Sequence, residues 1–159
     1  MKIFLTGGTG YLGTALLAGL LEAGHEVSVL TRNPRDEGGD ARLRWIAGDL
    51  LDGPPDPAIL HQHSVVLHAA AMVKTWARDR STFDRVNIEA YDRLLADCYR
   101  LGVTKVIHTS SFLSIGPSPT AAPIGENDRK PRRRYYTDYE RTKHLADDVT
   151  ETWSAKGLP

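Results

Sequence analysis

The glycine turn near the N-terminus limits the fold more than any other stretch. In Lys2-Ile3-Phe4-Leu5-Thr6 a short apolar run, Ile3 to Leu5, breaks at the glycine cluster Gly7-Gly8-Thr9-Gly10. It gives way to Leu12, Leu16, Leu17, Leu20 and Leu21 at helical spacing. Strand, tight turn and helix in that order form the setting in which a glycine motif holds a dinucleotide. One glycine lets the chain reverse, one lets backbone N–H groups approach a pyrophosphate, and one lets the helix pack closely on its strand. The first turn of the helix, Tyr11-Leu12-Gly13, then offers unpaired N–H groups and a partial positive charge. Two counts fit: Gly8, Gly10 and Gly13 match GxGxxG, whereas Gly7, Gly10 and Gly13 match TGxxGxxG with Thr6. The competing reading is an ordinary tight turn before a packed helix.

The rest of the chain alternates strand and helix patterns. Val27-Ser28-Val29-Leu30, Leu43-Arg44-Trp45-Ile46-Ala47, Ser64-Val65-Val66-Leu67-His68 and a run from Val103 to Ser111 read as strands. Residues 78–101 and 136–155 read as long helices, with a short helix ending near Leu60 and a proline-rich loop over 112–134. On the first long helix, Phe83, Val86, Ile88, Tyr91, Leu94, Leu95, Cys98 and Leu101 form the expected buried side. This alternation without hairpin signals predicts an α/β domain with a parallel sheet in the order 3-2-1-4-5 and helices on both faces. At 159 residues the chain suits one domain, 1–159.

Twenty basic and twenty acidic residues balance, which leaves no electrostatic footprint for nucleic acid or a membrane surface. The only cysteine is Cys98, so an internal disulfide is excluded and a reducing, cytoplasmic setting is expected. No metal site is expected.

Several residues sit where ligands bind such sheets, outside the strand carboxyl ends. Arg32 follows the second strand, where an acid would hydrogen-bond a ribose 2′-hydroxyl; an arginine pairs instead with a 2′-phosphate, with Arg35 as support. The competing reading is a solvated arginine. Asp49, followed by Leu50, could accept from an adenine amino group or cap a turn. Ala69-Ala70-Ala71 would let a flat ligand pass close to the backbone.

Tyr139 and Lys143 stand at i and i+4, on one helical face. A free phenol titrates at about 10. A neighbouring ammonium favours the phenolate and suits the pair to acid–base work. Lys143 could also hold the nicotinamide ribose, and a hydroxyl from Ser111 would orient a carbonyl or alcohol beside the phenol. The spacing alone is common; its place, on the helix after a serine pair at a strand end, gives it meaning.

With these residues in hand, the chain resembles an extended short-chain dehydrogenase/reductase, the NAD(P)-dependent epimerase/dehydratase group. The resemblance rests on Thr6-Gly7-Gly8-Thr9-Gly10-Tyr11-Leu12-Gly13, Gly48-Asp49-Leu50, His68-Ala69-Ala70-Ala71, Asn87, Thr109-Ser110-Ser111, and Tyr139 with Lys143. The family's other large branch would place its second glycine at position 11, which is Tyr11 here. The resemblance implies Ser111, Tyr139 and Lys143 as the catalytic set, with Ser110 as rival to Ser111. It implies Gly7, Gly10, Tyr11, Leu12, Gly13, Arg32, Asp49, Leu50, Ala69, Ala70, Ala71 and Lys143 as cofactor contacts, with Asn87 a weaker carry-over. Arg32 and the phrase from His68 to Trp76 are most similar to dihydroflavonol-reductase-like and hydroxysteroid-dehydrogenase-like members. The implied activity is hydride transfer between NADP(H) and a small-molecule carbonyl or secondary alcohol, with NAD as the alternative cofactor. Nucleotide-sugar epimerisation or dehydration is the alternative reaction.

The resemblance spans the whole chain but only the N-terminal part of the family fold. The C-terminal substrate region is therefore expected to be absent, which leaves open a module that binds NADP(H) without turnover. It also leaves the last strand with an open apolar edge. The resemblance further implies a homodimer through helices 78–101 and 136–155. The basic cluster from Arg129 to Arg134 reads as a solvated loop or a contact for an anionic substrate, and Trp76 as a packed aromatic or a pocket wall.

Overall fold

The computed structural model describes residues 1–34, 39–53, 56–128 and 134–159. Arg35, the start of the polar loop after it, and residues 129–133 of the basic cluster lie outside the described residues. Five parallel strands, β1 (Lys2–Thr6), β2 (Glu26–Thr31), β3 (Leu43–Ala47), β4 (Val65–His68) and β5 (Lys105–His108), form one sheet in the order β3-β2-β1-β4-β5. The helices are α1 (Tyr11–Glu22), α2 (Pro57–Leu60), α3 (Ser81–Asp84), α4 (Ala90–Arg100) and α5 (Asp138–Ala155). The predicted fold class and strand order are the observed ones.

Strand periodicity divides the core in two. Ile3, Leu5, Val27, Val29, Val65 and Leu67 face α1 and meet Leu17. Phe4, Leu30, Ile46 and Val66 point the other way, onto Tyr91, Leu94, Leu95, Cys98 and Ala146 of α4 and α5. β4 is buried along its whole length, as a central parallel strand with covered faces requires. On the predicted buried side of the long helix, Phe83, Tyr91, Leu94, Leu95 and Cys98 are fully buried, while Val86, Ile88 and Leu101 are half-buried.

Three elements differ from the sequence reading by two residues or more at an end. The last strand is Lys105–His108, not 103–111. Val103 closes the turn after Gly102, whose φ is +69°, by donating to Cys98 O at 3.0 Å. Beyond Thr109, whose N–H still donates to His68 O, Ser111 leaves the sheet and caps a 3₁₀ turn over Phe112–Ser114.

The helix expected over 78–101 starts at Ser81, after a turn in which Asp79 accepts from Ser81 N at 3.0 Å. It also carries a π-helical turn at Arg85–Glu89 between α3 and α4. The final helix starts at Asp138 rather than 136, since Thr137 is its N-cap and accepts from Glu140 N. Glu140 reaches back to Tyr136 N at 2.7 Å, a capping-box exchange shifted by one residue.

The outer edge of β5 is partly occupied. Val106 N donates to Pro159 O at 2.8 Å, so the chain's last described residue lies against that edge. Ile107, on the α1 side of the sheet, stays 46% exposed. No helix among the described residues is long and apolar enough to cross a membrane.

Candidate functional site

The strand carboxyl ends and the loops beyond them carry nearly every residue singled out in the sequence. The glycine turn has a separate packing reason at each position. Gly7 sits at φ +74°, and a Cβ there would lie 2.5 Å from Ala70 N. A Cβ on Gly13 would fall 2.0 Å from Gly7 O, so α1 starts in direct contact with the turn. Gly8 is confined as well, by Val29 Cγ1 at 2.7 Å, which explains why both ways of counting the motif match. Gly10 differs. A Cβ on it would meet only Gly7 O, at 3.3 Å, and the residue itself is exposed. Its bareness opens the backbone to solvent at the start of α1.

That helix start fits an anionic group. Gly10 is the N-cap, no side chain caps it, and its first turn holds no acid. The first N–H groups of a helix have no partner within it, and they carry the positive end of the helix dipole. Tyr11 and Leu12 are both exposed there. The alanines expected to line a flat ligand, Ala69, Ala70 and Ala71, are half-buried and without regular structure beyond β4. Thr6 ties the two loops together: its Oγ1 lies 2.8 Å from His68 Nδ1 and accepts weakly from Ala70 N at 3.4 Å.

Beyond the carboxyl ends of β2 and β3, Arg32 and Asp49 face each other. Arg32 Nη1 stands 3.9 Å from Asp49 Oδ2, with the arginine side chain 78% exposed. Asp49 also accepts from Leu51 N at 3.0 Å, capping a 3₁₀ turn that buries Leu50. The aspartate is therefore a turn cap first, and its other oxygen balances Arg32. A loose exposed pair of this kind contributes little, about 0–1 kcal/mol, so a bound phosphate could displace the carboxylate from Arg32.

The opposite end holds the acid–base candidates. Lys143 is buried, its Nζ donating to Thr109 O at 2.6 Å and lying 3.4 Å from His108 Nε2. Burial pushes its pKa below the ordinary lysine value, opposed by the charge of Asp147. Tyr139 is half-buried one turn earlier on α5. The first turn of that helix is clamped by Arg141 to Asp84 (2.7 and 2.6 Å) and by Arg80 to Asp138 (2.7 and 3.1 Å). Asn87, in the π-helical turn, is a second anchor. Its amide donates to Thr142 Oγ1 at 2.9 Å, and its carbonyl accepts from Met72 N at 2.7 Å.

The two serines have different surroundings. Ser111 Oγ accepts from Leu113 N at 3.3 Å, a bond that leaves its hydroxyl proton available to donate. Ser110 Oγ instead donates to Asp147 at 2.7 and 2.9 Å.

Sequence reading missed His108 and Asp147. His108 Nε2 lies 3.7 Å from Asp147 Oδ1, and its ring stacks on Tyr91 at 4.4 Å, which stacks in turn on His68 at 4.6 Å. Burial, with Lys143 beside it, pushes the His108 pKa down to about 4. The signal was present: Asp147 continues the spacing of Tyr139 and Lys143 by one more turn.

Comparison with known proteins gives the same outline. A Synechocystis protein provisionally named dihydroflavonol 4-reductase is 30% identical over 160 residues, covering 97% of this chain and 45% of its own length. Sterol demethylase protein B of Methylococcus capsulatus is 32% identical over 163 residues, covering 99% of this chain and 48% of its own. The chain thus spans about half the length of these relatives.

Among solved structures, MoeE5 in complex with UDP-glucuronic acid and NAD superposes with a TM-score of 0.82 at 28% identity, over 99% of this chain and 50% of that one. A Bacillus cereus UDP-glucuronic acid 4-epimerase reaches 0.85 at 22% identity, over 100% and 54%, a likeness of fold. The family's sequence model matches residues 3–158. The chain belongs to the NAD-dependent epimerase/dehydratase family.

Proposed function

We propose that this chain forms the cofactor-binding and proton-transfer part of an oxidoreductase that moves a hydride between NADP(H) and a carbonyl or secondary alcohol. The observation that carries the reading is Lys143. A buried ammonium is costly unless it is used or well paired, and this one is held at the carboxyl end of β5, one turn from Tyr139. When bound, the nicotinamide would give or take the hydride.

The chain's own residues would do the rest. The N–H groups of Tyr11, Leu12 and Gly13 would hold the pyrophosphate, and Gly7 would bring the turn against Ala69 and Ala70. Arg32 would exchange its exposed pairing with Asp49 for a 2′-phosphate, which favours NADP over NAD. Ser111 would donate its hydroxyl proton to the substrate oxygen. Tyr139 would pass a proton between its phenol oxygen and that same atom, and the ammonium of Lys143 would stabilise the phenolate.

Three large aromatics support an apolar substrate: Trp76, Phe112 and Tyr136 are 71%, 81% and 74% exposed, all in the segments that follow the carboxyl ends of β4 and β5. Relatives named for dihydroflavonol, sterol and 2-alkyl-3-oxoalkanoate chemistry are consistent with this. Nucleotide-sugar epimerisation is the second reading, favoured by the likeness to MoeE5, whose structure holds UDP-glucose and NAD.

The test is to titrate the chain with NADPH and NADH, then assay aryl and alicyclic ketones against UDP-sugars beside Tyr139→Phe. The reading expects NADPH binding in both proteins and ketone turnover lost in Tyr139→Phe. Turnover unaffected by Tyr139→Phe would refute the proton role. Binding without turnover would leave a nucleotide-binding module, and conversion of UDP-sugars alone would favour epimerisation.

A further inference from the structure

His108 Nε2 lies 3.4 Å from Lys143 Nζ, and the proposed function gives this histidine no role. It ends β5, with its side chain 7% exposed. One face of the ring lies on Tyr91 from α4, at 4.4 Å and 24° between planes. Tyr91 lies in turn on His68 from β4, at 4.6 Å and 19°. Three stacked rings from three elements leave the imidazole little freedom to turn. Lys143 and Asp147, both on α5, stand at its Nε2, and Ser110 donates to that carboxylate. His68 faces the ring at 5.8 Å but turns its own Nδ1 to Thr6.

We propose that His108 is a positioning residue for Lys143: its Nε2 accepts a hydrogen bond from the ammonium and, with Thr109 O, fixes that group against the end of β5. A neutral imidazole has one acceptor nitrogen and one N–H. If Nε2 carried the proton, two donors would face each other across 3.4 Å, and Asp147 at 3.7 Å is too far to take the bond. The acceptor is therefore Nε2, and the proton sits on Nδ1, which is buried and has no partner among the described residues. Retaining an unpartnered N–H there is a cost, offset by a charge-assisted bond on the other nitrogen. Burial and the neighbouring ammonium both hold the ring neutral, with a pKa near 4.

The role of Lys143 in turnover rests on the proposed function; the hydrogen bond itself does not. Long-range ¹H–¹⁵N correlation spectra of the ¹⁵N-labelled chain at pH 7 should show His108 protonated on Nδ1 and bare on Nε2, and still neutral at pH 5. The Lys143 ε-carbon resonance should then titrate lower in His108→Phe, which keeps a stacked ring but has no acceptor, by roughly half a unit to one unit. His108→Gln, with an amide oxygen, should recover part of that shift.

In the ketone assay, His108→Phe should lower kcat roughly tenfold with the cofactor KM nearly unchanged, and His108→Gln should restore several-fold. A proton on Nε2 in the unsubstituted protein would overturn the proposal even if His108→Phe failed to fold. So would an unchanged Lys143 titration in a folded His108→Phe. Should Tyr139→Phe leave turnover intact, the proposed function falls while the tautomer and the lysine titration still decide this one.

Discussion

Two glycines on α1 allow the packing argument to be tested with one kind of substitution. Gly13 and Gly19 are both helical, and in isolation alanine is favoured over glycine in a helix by about 1 kcal/mol. At Gly19 nothing lies within 4 Å of the added Cβ, so Gly19→Ala should gain most of that, about 0.5–1 kcal/mol. At Gly13 the same methyl group would sit 2.0 Å from Gly7 O and 2.7 Å from Gly8 Cα. The first of these is about 1 Å inside the closest approach that real Cβ atoms make, and the obstacle is backbone. Overpacking of a rigid contact costs about 1–3 kcal/mol; at the upper end, less the helix gain, Gly13→Ala loses about 2 kcal/mol.

For a domain of this size, about 1 kcal/mol moves the midpoint by roughly 2–4 °C. Thermal melts followed by circular dichroism should therefore show a rise of roughly 1–4 °C for Gly19→Ala and a fall of roughly 4–8 °C for Gly13→Ala. Urea titrations should show the same order with unchanged m-values. Because the shift also displaces the Tyr11, Leu12 and Gly13 N–H groups, NADPH should raise the midpoint of the parent protein more than that of Gly13→Ala. Equal stability of the two variants, or a stabilised Gly13→Ala, would refute the reasoning.

Other outcomes follow from the same geometry. Between pH 6.5 and about 4 the unfolded chain takes up protons that His108 refuses in the fold, so stability should be full above pH 6.5 and fall on acidification to pH 4. His108 alone accounts for roughly 3 kcal/mol of that loss, and His63 and His68, also lowered by burial, act in the same direction. Urea midpoints that stay flat from pH 7 to 4.5 would contradict it. Arg32→Asp should weaken NADPH binding more than NADH binding, by roughly tenfold or more in a fluorescence titration; an unchanged preference would remove the phosphate role. Ser111→Ala should lower ketone turnover by roughly a hundredfold, whereas Ser110→Ala should change it little and cost at most about 1 kcal/mol of stability. The reverse pattern would make Ser110 the catalytic serine.

Much of the fold was legible because local periodicity and global topology agree. The apolar run ending at Gly7, the leucines of α1 and the continuously apolar Val65-Val66-Leu67 each specify one element and which faces it buries. The glycine turn was legible for a similar reason: a strand, a reversal and a close-packed helix leave few residue choices. Boundaries were less so. Val103 and Ser111 suit a strand by propensity, but the bonds to Cys98 O and to Leu113 N draw both into turns. The π-helical turn could not be read from spacing, and its Asn87 bonds Met72 and Thr142, 15 and 55 residues away.

The sequence alone determined the parallel α/β class, the strand order, the glycine turn between β1 and α1, and the placing of Tyr139 and Lys143 on one helical face. These follow from neighbours within a few residues, or from chain-connection rules that hold for any such alternation. Only the tertiary structure decided which partners the polar groups keep. It placed Asp49 against Arg32 and gave Ser110 to Asp147, while Ser111 accepts from Leu113 N and donates to no group among the described residues. It also set His108, stacked on a tyrosine from another helix, against the ammonium of Lys143. The reason is physical: a polar contact between residues 17 to 37 apart leaves no periodic trace in the chain, and burial, which sets both its strength and the charge state of its members, exists only once the elements are packed.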